Sequence, residues 1–208
     1  MSKIGYFWQQ SWLLIVSAFL FGLLMAVTNA ALLPRIEKNQ ADKLNALMTN
    51  LVPLAERFDP VEQGVEIELA GGKKDLVKVY KAVTATQECL GWGFKASGQG
   101  FADKIEVVVA VDKDFRTLAG FSVLACNETP GFGDRMKTSE FRNQFIGAPA
   151  GNLQLVKAGD LARIDDQIVA ITGATVTSDG VVTLFNTYLG KIKEQMISKG
   201  LIGHDKQQ

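Results

Sequence analysis

The chain has 208 residues, 47% of them hydrophobic and 21% charged, with a formal net charge of zero. That length supports one well-packed domain plus an additional element. No Lys/Arg tract stands out, so nucleic-acid binding lacks electrostatic support, and a lone histidine, His204, removes histidine-rich metal sites and most His-based catalysis.

Residues 1–10 are a short N-terminal flank. No charged residue occurs from Ile4 to Pro34, and Ser11 to Leu33 is almost wholly apolar. A bilayer core needs about 20 such residues, so 11–33 reads as a transmembrane helix in contact with lipid. Trp8 and Trp12 fall where an interfacial aromatic belt sits. Thr28-Asn29-Ala30 resembles a signal-peptide cleavage site, but the apolar run exceeds the usual length, and an uncleaved single-pass anchor is favoured. Arg35, Lys38 and Lys43 follow the span while Lys3 precedes it, a mild bias toward a cytoplasmic domain. Long domains override such counts, and charge leaves the orientation open.

Residues 34–59 read as a juxtamembrane helical stalk. Ile36, Leu44, Leu47, Met48 and Leu51 share one face over 35–57, and Pro53 bends or ends the helix. A β-rich domain follows over 60–200, with a polar tail at 201–208. Val65, Ile67 and Leu69 alternate with acids, Gly71-Gly72 turns the chain, and Leu76 to Val83 returns it as a hairpin. Ile105 to Val111 and Leu118 to Ala125 are further strands around the polar turn Asp112-Lys113-Asp114. Glu140 to Phe145 reads as a short helix. Val181, Phe185, Leu189, Ile192 and Met196 mark an amphipathic helix that ends near Gly200. The fold class is α+β. Cys89 and Cys126 match no zinc or CxxC spacing; they read as buried thiols, or as a disulfide in an oxidising compartment.

No phosphate loop, HExxH or GxSxG elbow is present, and Gly98-Gln99-Gly100 lacks the rest of a dinucleotide fingerprint. Two segments remain. Thr172-Gly173-Ala174-Thr175-Val176-Thr177-Ser178 precedes the last helix. Small residues there permit close approach, and a helix amino end suits a phosphate, although an ordinary capped turn needs nothing more. Glu128-Thr129-Pro130-Gly131-Phe132-Gly133-Asp134 specifies a tight loop with positive φ at one glycine. Phe132, flanked by glycines, is placed either to cover a planar ligand or to turn into the core.

Together these segments resemble the covalent FMN-binding domain of the G subunit of Rnf (Rsx) electron-transport complexes. The related domain is that of the C subunit of the sodium-translocating NADH:quinone reductase. The resemblance rests on T-G-A-T at 172–175, the E-T-P-G-x-G-D loop at 128–134 and the Gly-rich stretch Gly91 to Gly100, and it spans essentially the whole chain. It implies FMN attached through a phosphoester to Thr175 by a flavin transferase. Thr172, Gly173, Ala174 and Thr177 would line the phosphate and ribityl region. Glu128, Thr129, Pro130, Gly131, Phe132 and Gly133 would hold the ring, with Phe132 in place of the family's usual leucine. Val169 stands where the family often has an acid. The family further implies a redox subunit of an ion-translocating ferredoxin:NAD oxidoreductase, with other membrane and peripheral subunits as partners, in a bacterial or archaeal cytoplasmic membrane. A covalent link suits an extracytoplasmic domain. No Asp or Glu lies in the span, so this chain offers no ion pathway of its own. A quinone-reductase-type C subunit, a stand-alone anchored flavoprotein, and an unmodified binding module in which Thr175 merely caps the helix are the alternatives.

Overall fold

A computed structural model describes residues 3–61, 64–68 and 74–203. The Gly71-Gly72 turn, Leu69 and His204 lie outside these residues. The chain divides into two compact units, Met1–Lys43 and Leu44–Gln208.

The first unit is helical. Helix α1 (Lys3–Leu51) runs without interruption through Pro34, across the expected boundary between anchor and stalk. Its most apolar window has a mean hydropathy of 2.2 and no buried residue. This helix is long and apolar enough to cross a membrane. It stops at Leu51, two residues short of Pro53, because the residue before a proline is driven out of the helical region.

In the second unit, β1 (Arg57–Pro60), β2 (Val65–Glu68), β3 (Lys74–Val77), β4 (Val79–Val83), β5 (Cys89–Gln99), β6 (Lys104–Asp112) and β7 (Leu118–Ala125) follow. An antiparallel five-stranded sheet has the order β1-β4-β5-β6-β7, and β2 pairs separately with β3. The expected hairpin arm Leu76–Val83 is therefore two strands: the chain leaves the β2 hairpin at Lys78 and enters the large sheet. The Gly-rich stretch Gly91 to Gly100 forms all but the start of β5, the sheet's central strand, with Gly100 just beyond its end.

Its glycines are needed for approach. A Cβ on Gly91 would lie 2.3 Å from the Val111 carbonyl oxygen. Gly93, Ala110 and Gly120 form one row across β5, β6 and β7. The end of α1 fits there, with Met48 Sδ 3.0 Å and Leu51 Cδ2 3.5 Å from where Cβ atoms on Gly93 and Gly120 would stand.

Helix α2 (Ser139–Arg142) continues into a 3-10 turn at Asn143–Phe145. Strands β8 (Gln154–Val156) and β9 (Gln167–Val169) form a small parallel pair, and α3 (Thr175–Ser198) closes the domain. Val181, Phe185, Leu189, Ile192 and Met196 of α3 share one core cluster with Phe94, Val107, Val109 and Phe121 of the sheet. The 3.6-residue period of α3 thus meets the two-residue period of the strands. Phe121, Phe145 and Phe185 pack with ring centroids 4.8 to 5.4 Å apart.

Cys89 and Cys126 are both free. Cys89 opens β5, whereas Cys126 follows Ala125, whose partner Glu106 pairs with Ser97 near the far end of β5. At strand rise that separation is about 26 Å, far beyond disulfide reach.

Candidate functional site

The approach to α3 is pinned by side chains that bond to backbone. Gln144 clamps Val169, accepting its N–H at 2.7 Å and donating to its carbonyl at 3.3 Å. Asn186 of α3 does the same for Leu153, both bonds at 2.8 Å. Beyond β9 the chain turns through Gly173, at φ +82°, and the Ser178 hydroxyl links the turn by accepting the Ile171 N–H and donating to the Ala174 carbonyl. A Cβ on Gly173 would lie 3.0 Å from the Phe132 ring, so that ring lies against the turn.

Helix α3 begins at Thr175, with Ala174 in the cap position and no side-chain cap hydrogen bond. Thr175 therefore does not cap the helix, as the unmodified-module reading required. The first backbone N–H groups of a helix have no partner within it, and here no cap side chain supplies one.

Around this helix end lies a cavity of about 420 Å³, lined by Phe101, Thr129, Phe132, Gly133, Gly173, Ala174, Thr175, Val176 and Thr177. The volume suits a small-molecule site. None of these lining residues is charged. The polar features at the wall are threonine hydroxyls and the positive end of the helix dipole, which favour an anion at Thr175. Phe101 and Phe132 are 66% and 52% exposed, and their rings give the cavity flat apolar surfaces apt for a planar group.

Seven of the residues singled out in the sequence meet at this cavity: Thr129, Phe132, Gly133, Gly173, Ala174, Thr175 and Thr177. Pro130, Gly131 and Thr172 are exposed and outside its lining, with Gly131 supplying the positive φ at +78°. Glu128 is buried behind the wall. Phe101 and Val176 were missed. The signal for Phe101 is its place directly after Gly98-Gln99-Gly100, a segment that α3 crosses closely. A Cβ on Gly98 would meet Leu184 at 3.0 Å, and one on Gly180 would lie 2.5 Å from the Gln99 carbonyl oxygen.

Comparison with known proteins agrees with this geometry. The FMN-binding domain family matches residues 100–190, which hold both loops and the start of α3. The G subunit of an ion-translocating oxidoreductase complex from Methanosarcina acetivorans is 29% identical over 182 residues, 88% of this chain and 92% of that protein. The G subunit of the proton-translocating ferredoxin:NAD(+) oxidoreductase complex of Clostridium ljungdahlii is 30% identical over 168 residues, covering 81% and 82%. Among solved structures, Shewanella oneidensis NqrC superposes with a TM-score of 0.57 at 24% identity, over 72% of each chain, which shows the shared fold. An α+β protein with an apolar N-terminal helix and an FMN-binding domain is the class thus defined. The chain belongs to the family of G subunits of ion-translocating oxidoreductase complexes.

Proposed function

We propose that the chain is the membrane-anchored electron-transfer subunit of an Rnf-type ion-translocating ferredoxin:NAD oxidoreductase, carrying FMN as a phosphoester on Thr175. The observation that carries the attachment is the exposed Thr175 at the uncapped amino end of α3, on the wall of a cavity with two exposed aromatic rings. Bound FMN supplies one- and two-electron redox chemistry, which lets it link carriers of both kinds.

This chain's residues hold and orient. The α3 amides receive the phosphate side, Gly173 leaves room beside it, Thr129, Phe132 and Gly133 border the ring, and Thr177 braces the wall with its hydroxyl on Glu128. Glu128, Pro130, Gly131 and Thr172 shape the two loops from outside the lining. Thr175 is a tether and not a nucleophile in turnover, esterified once by a flavin transferase. Residues 11–33 anchor the chain in lipid, and the FMN domain takes in the end of the expected 34–59 stalk, since Met48 packs on its sheet and β1 is one of its strands. We place this domain outside the cytoplasm, where a covalent link prevents loss of the cofactor. Partner subunits bring electrons to it and take them away.

The test is co-expression with a flavin transferase, denaturation, and inspection for yellow fluorescence migrating with the polypeptide. A fluorescent band lost in Thr175→Ala is expected. An unlabelled parent chain beside an active transferase sinks the attachment, and label retained in Thr175→Ala moves it elsewhere.

A further inference from the structure

Among the described residues, Glu128 is the only buried charged side chain, at 6% exposure. Its Oε1 accepts the backbone N–H of Ala102 at 3.0 Å and of Asp103 at 3.4 Å, and its Oε2 accepts the Thr177 hydroxyl at 2.6 Å. All three partners are neutral. A buried carboxylate held by neutral donors alone is expensive, because its desolvation is not offset by an opposite charge.

The fold nonetheless makes room for it. A Cβ on Gly100 would lie 2.3 Å from Oε1, and one on Gly133 would lie 2.6 Å from Oε2 and 2.8 Å from Thr177 Oγ1. The carboxylate thus occupies a slot between two glycines, and Gly133 and Thr177 form part of the cavity wall on its other side. Its partners belong to separate segments. Ala102 and Asp103 are in the β5–β6 turn that carries Phe101, and Thr177 is in the first turn of α3.

We infer that Glu128 is a positioning residue for the flavin site. It fastens the Phe101 turn to the amino end of α3 and keeps a negative charge directly behind the Gly133 wall. The inference rests on the reading of the cavity as the FMN site. A fixed negative charge behind an uncharged wall disfavours added electron density in front of it, since low dielectric screens the pair weakly. Glu128 therefore lowers the reduction potential of FMN held there.

The full-length chain in detergent tests this as parent, Glu128→Gln and Glu128→Ala, with and without transferase co-expression. Glutamine keeps the size of the side chain and an acceptor for Ala102 and Asp103. It removes the charge and lets Nε2 donate to Thr177 Oγ1. The midpoint potential of attached FMN, read by spectroelectrochemical titration, is expected to rise in Glu128→Gln; a value equal to the parent's overturns the charge role. In flavin-free chain, hydrogen-exchange mass spectrometry of the peptide holding Ala102 and Asp103 should show protection kept in Glu128→Gln and lost in Glu128→Ala. Equal protection in all three overturns the tie. If Glu128→Ala does not fold, Glu128→Asp, one methylene too short to reach both segments, takes its place in the exchange comparison. Exchange is read without flavin, so a parent that takes up no FMN defeats the cofactor reading while the tie is still decided.

Discussion

Thr175 and Thr177 are chemically identical and two positions apart, yet the first is exposed while the second is 1% exposed, its hydroxyl committed to Glu128. Burial therefore separates the hydroxyl proposed as the attachment point from the structural one. Thr177→Val should destabilise the domain by about 1–3 kcal/mol in urea unfolding, because the buried Glu128 oxygen loses its donor. Thr175→Ala at the exposed position should stay within about 0.5 kcal/mol of the parent in the same measurement. Gly133→Ala should cost about 1–3 kcal/mol, since its methyl would displace both Glu128 and Thr177. None of these roles can be read from residue type. The sequence marks the threonines and glycines, but only the fold decides which face the cavity.

Among the elements, β6 and β7 were legible because their apolar runs are bounded by polar turns, and α3 because its apolar residues keep one helical period. Strand β5 was not, since Gly91, Gly93 and Gly98 lower strand propensity while permitting the close approaches of Val111, Met48 and Leu184. Strands β8 and β9 have three residues each, too short for any periodic signal, and depend on the clamps from Asn186 and Gln144. Gln144→Ala should cost about 1–3 kcal/mol, by leaving the Val169 N–H and carbonyl short of partners. It should also reduce the flavinylated fraction, measured by in-gel fluorescence, because β9 leads directly into the Thr175 turn.

The sheet carries a pH dependence of its own through Glu106. Burial alone would raise the carboxyl's pKa, but hydrogen bonds and charge from Lys95 and Lys104 outweigh it and hold the group below the usual range. A depressed carboxyl pKa stabilises the fold above the unfolded-state value and loses that contribution as pH falls through the folded-state value. Glu106→Gln should thus lower stability by no more than about 1 kcal/mol at neutral pH. The difference should vanish below the folded-state pKa, as followed by denaturant midpoints across an acid series.

For the whole molecule, the compact unit around the sheet begins at Leu44, inside α1, and fully buried Met48 belongs to it. A chain starting at Leu44 is expected to fold and to leave the membrane fraction. One starting at Pro53 loses Met48 from the Gly93 groove and should be less stable by about 2–5 kcal/mol, as for deletion of a buried methionine. Thermal unfolding of the two truncations decides between them. The apolar span was legible as a candidate anchor from composition, whereas the seating of the helix end on Gly93, Ala110 and Gly120 required the register of three strands.

The separation of the two thiols bears on where such a domain can live. Cys89 and Cys126 sit at opposite ends of the sheet, too far apart to staple one to the other. The fold consequently gains nothing from an oxidant and loses nothing to a reductant. These two thiols therefore do not select a face of the membrane, and that choice falls to insertion of the anchor and to partner subunits.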